Sequence, residues 1–312
     1  MKRLLVIMNP ASGSGAADAA ERRGAIEQGL REAGADFDFI EVRDPGQLDS
    51  TCRAAAERAR REDAVLVAVG GDGTITTAAQ AAHQAGCVMG AIPQGTFNYF
   101  CRVHGIPQDL ERAVKALARA EPRQVHVGAV NSRLFLVNAS LGMYPQLLDD
   151  REDFLERFGR RRWVALAAAL ATLVRWRHQL RVEVEADGQV RQLRTPMIFV
   201  GNNPLQLARL GLDAGLVKDV GHGSLAALVL RPIGTWAMLG LLLRGALGRL
   251  GEADQLESFT FQRLTVRMRG VRRTKVAADG EIGVMTQPIR FEVCEQPLTL
   301  MLPCAEDRVE VE

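Results

Sequence analysis

An unbroken apolar run opens the chain at Leu4–Met8, and further strand-length segments follow at 37–42, 64–69 and 88–92. The runs at 4–8 and 64–69 are apolar at every position, the pattern of strands covered on both faces. Between these segments, 16–33, 49–61 and 74–84 carry apolar residues at helical spacing. Strand and helix therefore alternate through residues 1–122, which predicts an α/β domain built on a doubly wound parallel sheet.

Beyond residue 122 the period changes. Segments 124–130 and 134–139 flank Asn131-Ser132, while Leu180–Ala186 and 190–193 flank Asp187-Gly188, both in the manner of hairpins. Further strands are expected at Met197–Gly201, Leu225–Leu230, 259–268, 275–278, Ile289–Val293 and Leu298–Leu302. This predicts an antiparallel β-sandwich over 123–304, with helical insertions at 163–176 and 235–250 and an acidic tail at 305–312.

Three loops lie at the carboxyl ends of successive predicted parallel strands, where α/β sheets bind ligands. They are Asn9-Pro10-Ala11-Ser12-Gly13-Ser14-Gly15, Gly70-Gly71-Asp72-Gly73-Thr74 and Pro93-Gln94-Gly95-Thr96-Phe97-Asn98. Glycine lets a backbone approach a ligand closely, and the helix N-termini just beyond offer free amides to phosphate oxygens. An acid in such a loop, Asp72, calls for a divalent cation between it and the phosphates. The chain has neither G-x-x-x-x-G-K-[ST] nor a G-x-G-x-x-G opening its first helix.

Composition narrows the reading. A net charge of +2, with no basic stripe interleaved with aromatics, argues against nucleic acid as a partner. Five scattered cysteines without C-x-x-C spacing read as reduced thiols, not as a disulfide framework or a zinc site. No apolar stretch reaches the length of about 18 residues that spans a bilayer, and Met1–Met8 runs into Asn-Pro instead of a cleavage site. A cytoplasmic protein is expected, with peripheral membrane contact. Arg157, Arg160, Arg161, Arg162, Arg175, Arg177 and Arg181 bracket an apolar segment holding Trp163 and Trp176. That composition suits either a helix lying on an anionic membrane or a core-facing helix with solvated ends.

The three loops resemble those of the diacylglycerol kinase catalytic-domain family, which includes bacterial lipid kinases and, more distantly, sphingosine and ceramide kinases. Its members share N-P-x-S-G, G-G-D-G-T and P-x-G-T-x-N loops and a D-G-E motif, the last matched by Asp279-Gly280-Glu281. A G-N-N segment at Gly201-Asn202-Asn203 and the change of pattern near residue 122 extend the resemblance over nearly the whole chain. Of these motifs only G-G-D-G-T is shared widely, with NAD kinases. The resemblance implies an ATP-dependent kinase acting on diacylglycerol or a related lipid at the membrane surface. ATP would lie in a cleft between the domains with magnesium on its phosphates. The nucleotide contacts would come from Asn9, Pro10, Ser12, Gly13, Gly70, Gly71, Asp72, Gly73, Thr74, Gly95, Thr96 and Asn98, and Asp72 would serve the metal. Glu281 matches the family's proton acceptor, with Asp279 its close neighbour.

The chain departs from the family at several positions. Tyr99 replaces an Asp after the third loop and Thr76 replaces an Asn after the second. His222 and Ala226 stand where some bacterial members carry the two acids of a structural magnesium site, so no second-domain metal of that type is expected. His222 reads as a solvated loop histidine or a replacement ligand. Asp279-Gly280 also fits an ordinary hairpin turn, as Asp187-Gly188 does. Two alternatives to the lipid kinase stay open: a soluble kinase of the NAD kinase type, and a nucleotide- or lipid-binding regulator with weakened catalysis.

Overall fold

In the computed structural model the described residues are 2–9, 16–42, 44–143, 179–232 and 253–310, with single positions at 145, 234, 237, 240, 244, 249 and 251. The chain separates into two units, Met1–Val127 with Cys294–Glu312, and Gly128–Val293.

The first unit is built on β1 (Leu4–Met8), β2 (Phe37–Glu41), β3 (Val65–Gly70) and β4 (Val88–Pro93), all parallel, in the order β2-β1-β3-β4. Because side chains alternate across a strand, Val65, Val67 and Val69 face one side and Leu66 and Ala68 the other. All five are buried. On the first side Ile26 and Leu30 of α1 (Ala16–Glu32) form a cluster with the valines. Two later helices are α2 (Leu48–Glu62) and α3 (Asp72–Ala85), whose inward faces are Cys52, Ala55, Ala56 and Ala59, and Ile75, Ala78, Ala79 and Ala82. Small residues on both of these helices let them pack closely. A short α4 (Tyr99–Val103) and then α5 (Leu110–Ala118) follow. The latter adds Ala113, Val114 and Leu117 to the valine cluster, and β5 (Glu121–Val125) ends the segment.

The second unit holds β6 (Gly128–Val130), β7 (Arg133–Phe135), β8 (Asn138–Gly142), β9 (Leu180–Ala186), β10 (Gln189–Thr195) and β11 (Met197–Gly201). It continues with β12 (Leu225–Leu230), β13 (Leu256–Phe261), β14 (Arg263–Met268), β15 (Arg273–Ala278), β16 (Glu281–Thr286) and β17 (Ile289–Val293). They form two antiparallel sheets, β10-β9-β14-β17-β6-β7 and β13-β12-β11-β8-β15-β16. Inward residues of both sheets, among them Phe135, Val184, Ile198, Val229, Leu264 and Phe291, make one core, which is a β-sandwich. The outward side of the second sheet is not bare. Phe199, Ala226 and Leu228 pack there under α6 (Pro204–Arg209) and α7 (Ala214–Gly221) through Leu207, Leu216 and Val220.

The final strand, β18 (Leu298–Leu302), lies in the first unit, parallel to β4 and antiparallel to β5. The sequence pattern assigns it to the sandwich, since an isolated apolar strand carries no mark of its partner. Three long segments also divide. The 124–130 stretch becomes β5 and β6 in different units, 134–139 becomes β7 and β8, and 259–268 becomes β13 and β14 in different sheets. Phe261 and Leu264, on either side of the last break, are both buried in the same core, so hydrophobicity does not reveal the break at Gln262. The expected acidic tail is tied down. Val309 N donates to Gly105 O (3.0 Å) and Asp307 pairs with Arg119. Among the described residues no helix is long and apolar enough to cross a membrane. The predicted insertion at 163–176 lies outside the described residues, as does most of 235–250.

Candidate functional site

β3 ends at Gly70, and α3 starts immediately from an extended Gly71 N-cap with no side-chain capping hydrogen bond. The first-turn amides of α3 are thus left for a ligand. Gly70 is required because a Cβ there would sit 2.6 Å from the Cβ of Thr74. The third loop is pressed directly against this turn. A Cβ on Gly95 would lie 2.9 Å from Gly71 Cα and 2.6 Å from Asn98 Oδ1. Backbone meets backbone where the two glycines face each other.

Hydrogen bonds fix that contact. Gln94 N donates to Gly70 O (2.8 Å), and Asn98 N donates to Asp72 Oδ2 (3.0 Å). Asn98 is 3% exposed with φ 48, and its side chain closes the loop on itself. Its Oδ1 accepts from Gly95 N (3.0 Å), while its Nδ2 donates to Gly95 O and Gln108 Oε1, both 2.9 Å. The first loop joins at its first residue, where Asn9 Nδ2 makes a long contact of 3.4 Å to Thr74 Oγ1. Pro10, Ser12 and Gly13 lie outside the described residues. Gly95, Thr96 and Phe97 are exposed, and the Phe97 ring stacks on Tyr99 at 5.7 Å, nearly parallel. Tyr99 therefore supplies an aromatic face where the family carries an acid.

Asp72 is half-buried, not a freely solvated loop residue. Burial pushes its carboxyl above the usual carboxylate range, against the amides of Asn98 and Tyr99 and the charge of Arg102, which pull it down. Oδ1 is buried with no hydrogen-bond partner. An orphaned carboxylate oxygen beside uncapped amides fits a cation bridging to an anion. Among the described residues no cluster of three or more metal-ligating side chains is found, so magnesium at Asp72 would draw its other ligands largely from phosphates and water.

In the second unit, Asp279 and Gly280 form a turn with φ 48 and 86, nearly the values of Asp187 and Gly188 (45 and 86). Positive φ at both central residues is the hairpin-turn geometry, and it joins β15 to β16. The Asp279 carboxylate differs from that of Asp187 in what it holds. Its oxygens accept from Leu136 N (2.7 Å), Val137 N (2.9 Å) and Asn138 N (3.0 Å). Asp187 accepts only two longer bonds, from Gln262 N (3.3 Å) and Arg263 N (3.2 Å). The G-N-N segment grips the same stretch, because Asn202 N donates to Val137 O (2.8 Å) and Asn202 Nδ2 to Leu136 O (3.2 Å). Asn203 caps α6 through Gln206 N, and Gln206 Oε1 accepts from Asn138 Nδ2 (3.2 Å). Two motifs far apart in sequence thus hold residues 136–138 from both sides. Glu281 is exposed and ion-paired with Arg133. No sequence signal marked Arg133, Asn138 or Gln206, which are ordinary polar residues until the sheet brings them beside the motifs. His222 sits at the end of α7 with Nδ1 2.7 Å from Lys218 O, and Ala226 is buried under the helices.

Residues 3–130 match the profile of the diacylglycerol kinase catalytic domain. That segment, which holds all three glycine loops, is similar to the family's catalytic domain. The chain is 30% identical over 196 residues to a diacylglycerol kinase of Bacillus subtilis (strain 168), covering 62% of each chain. It is 27% identical over 226 residues to one of Staphylococcus carnosus (strain TM300), covering 69% of each. Across these two and a putative lipid kinase of Streptococcus pneumoniae serotype 4, the match spans between 51% and 69% of each relative's length. A crystal structure of a diacylglycerol kinase from Bacillus anthracis str. Sterne superposes with a TM-score of 0.68 at 20% identity, covering 97% of this chain and 98% of that one. It shows the fold, an α/β unit followed by antiparallel sheets.

Proposed function

We propose that the chain is an ATP-dependent lipid kinase that transfers the γ-phosphate of ATP to the hydroxyl of diacylglycerol or a related lipid. The observation that carries this reading is the fused pair of loops in the first unit. An uncapped α3 terminus and the exposed Gly95-Thr96 backbone are held together at a distance that only glycine permits. Phosphoryl transfer needs phosphates held in line and their charge balanced, with little covalent chemistry asked of the protein. The α3 amides and Thr96 would orient the phosphates, with Asn9 and Thr74 at the opposite edge. Magnesium, when bound, supplies charge neutralisation on the transferred group. Asp72 would hold it while clamping the third loop through Asn98. Glu281 is the candidate acceptor for the lipid hydroxyl proton, oriented by Arg133. Asp279, with three amides on its oxygens, acts as a positioning residue for the turn that presents Glu281. Peripheral contact with a membrane surface belongs to the same reading, since the acceptor lipid resides there.

The experiment is incubation of the protein with labelled ATP, magnesium and a panel of lipids beside NAD. Label on a hydroxyl lipid supports the proposal, and label on NAD alone replaces it with the soluble kinase. A second reading, a nucleotide-binding regulator, is favoured by Tyr99, whose ring stacks on Phe97 where a carboxylate would strengthen the metal site. Nucleotide binding with no labelled product would select it.

A further inference from the structure

On the outward face of the first sandwich sheet, charges are matched row by row except at one end. Register places Gln192, Glu183 and Arg267 side by side across β10, β9 and β14, and Arg267 reaches both Glu183 (3.4 Å) and Glu185 (3.2 Å). The next row toward the end of the sheet is Arg194 opposite Arg181, with Arg269 N bonded to Arg181 O on the other side. Three guanidinium groups thus lie in one cross-strand row. Among the described residues none of the three is ion-paired, although like charges directly opposite destabilise a sheet. They line an open depression of about 300 Å³ together with Val182, Gln192, Leu193 and Glu183, whose carboxylate is already paired with Arg267.

The row runs straight into the β14–β15 turn, Arg269-Gly270-Val271-Arg272-Arg273, in which every residue is exposed. Val271, 41% exposed, is the apolar tip between arginines. This turn is held rigidly. Gln287 N donates to Arg272 O (3.1 Å), and the Gln287 side chain donates to the carbonyls of Met268 and Val271 while accepting from Met268 N. The turn thus presents one exposed apolar side chain with arginines on either side. It matches the boundary between phosphate headgroups and acyl chains.

We propose that this end of the second unit, Arg181, Arg194 and Arg269 with the Val271 turn, is a docking surface for the phosphate headgroups of an anionic membrane. Three arginines spread across neighbouring strands, beside a turn carrying two more, favour an array of headgroups over one small anion. The surface is independent of the kinase reading, since it uses neither the nucleotide loops nor the Asp279–Glu281 turn, and its test needs no turnover.

The test is sedimentation of the full chain, without nucleotide, with vesicles of phosphatidylcholine alone or mixed with phosphatidylglycerol. The parent protein should bind only the mixed vesicles, and less as salt rises. At about a 5-fold loss per arginine near such a surface, the triple change Arg181→Gln, Arg194→Gln and Arg269→Gln should weaken binding roughly 100-fold. Relief of the like-charge row should leave its melting temperature unchanged or higher, which separates lost docking from lost folding. Arg31→Gln, Arg53→Gln and Arg123→Gln together remove the same charge elsewhere and should retain binding within a few-fold. Val271→Ser should weaken binding to mixed vesicles with no change in salt dependence. Equal binding by the parent to both vesicle types, or equal losses in the two triple variants, would overturn the proposal. So would retention of inorganic phosphate by the row without vesicle binding, which would make it a soluble-anion site.

Discussion

Adding one methyl group at Gly95 tests the contact on which the nucleotide reading rests. In Gly95→Ala the new Cβ falls about 0.5 Å short of ordinary contact with Gly71 Cα and about 0.8 Å short with Asn98 Oδ1. Neither neighbour can retreat cheaply. Gly71 is backbone at the start of α3, and Asn98 is anchored by Gly95 O and Gln108. The loops must part, stretching the bonds from Gly95 N to Asn98 and from Asn98 N to Asp72. Overpacking of this kind costs about 1–3 kcal/mol, a few degrees in the melting temperature of a unit this size. Displacing a phosphate-binding loop by up to about 1 Å costs about 100-fold in turnover.

The control is Gly86→Ala. Gly86 ends α3 with φ 67 and nothing within 4 Å of its would-be Cβ, so its cost is backbone strain alone, about 1 kcal/mol. It lies about 20 Å along the helix from Asp72. Calorimetry and titration with magnesium-ATP should show both variants less stable but only Gly95→Ala deficient in nucleotide. Parent-like nucleotide affinity in Gly95→Ala, or parallel losses in both variants, would refute the assignment.

The two acids of the Asp279–Glu281 turn should separate cleanly. Asp279→Asn replaces an acceptor of three amides by a group with one carbonyl, and should cost about 1–3 kcal/mol in denaturant unfolding. Glu281→Gln, exposed, should leave stability within about 0.5 kcal/mol yet lower turnover about 100- to 10,000-fold if it is the base; near-normal turnover returns it to an ordinary turn residue. Asp72→Asn should remove magnesium-dependent turnover without loss of stability at pH 7. The folded pKa of Asp72 is raised, so its contribution to stability is greatest at low pH and is lost as pH rises and the buried carboxyl ionises; a strongly destabilised variant would count against this. His104 has the opposite sign. Burial, then the charge of Arg308, pushes it down to about 4, so the stability it contributes is present above pH 6.5 and fades as pH falls toward 4. Unfolding curves should show a loss on the order of 3 kcal/mol across that window, abolished in His104→Gln.

The sheet of the first unit was legible because buried parallel strands announce themselves by being apolar throughout, as Leu4–Met8 and Val65–Gly70 do. The glycine loops were legible for a related reason, since they mark where backbone must approach backbone. What stayed hidden was pairing between distant segments. Nothing local at Leu298–Leu302 says that it lies beside β4. Likewise, nothing at Asn138 or Arg133 forecasts the amide clamp under Asp279 or the ion pair with Glu281. From sequence the D-G-E segment fits either a turn or a catalytic motif; in the structure it is a hairpin turn whose first acid holds residues 136–138, a role set by tertiary contact and not by spacing.

The return of β18 has a consequence for biosynthesis. Strands β1–β4 leave the ribosome early, but the strand that covers the edge of β4 is made only after the whole of Gly128–Val293. At about 5–20 residues per second, β4 waits roughly ten to forty seconds with an unpaired edge, a period open to aggregation and chaperone capture. The sandwich waits too, since Gly128 in β6 pairs with Val293 in β17, but all of its strands are made before β18. The second unit can therefore close before the first is complete. A chain cut at residue 130, where the family match ends, would keep every nucleotide-loop residue and never acquire β18.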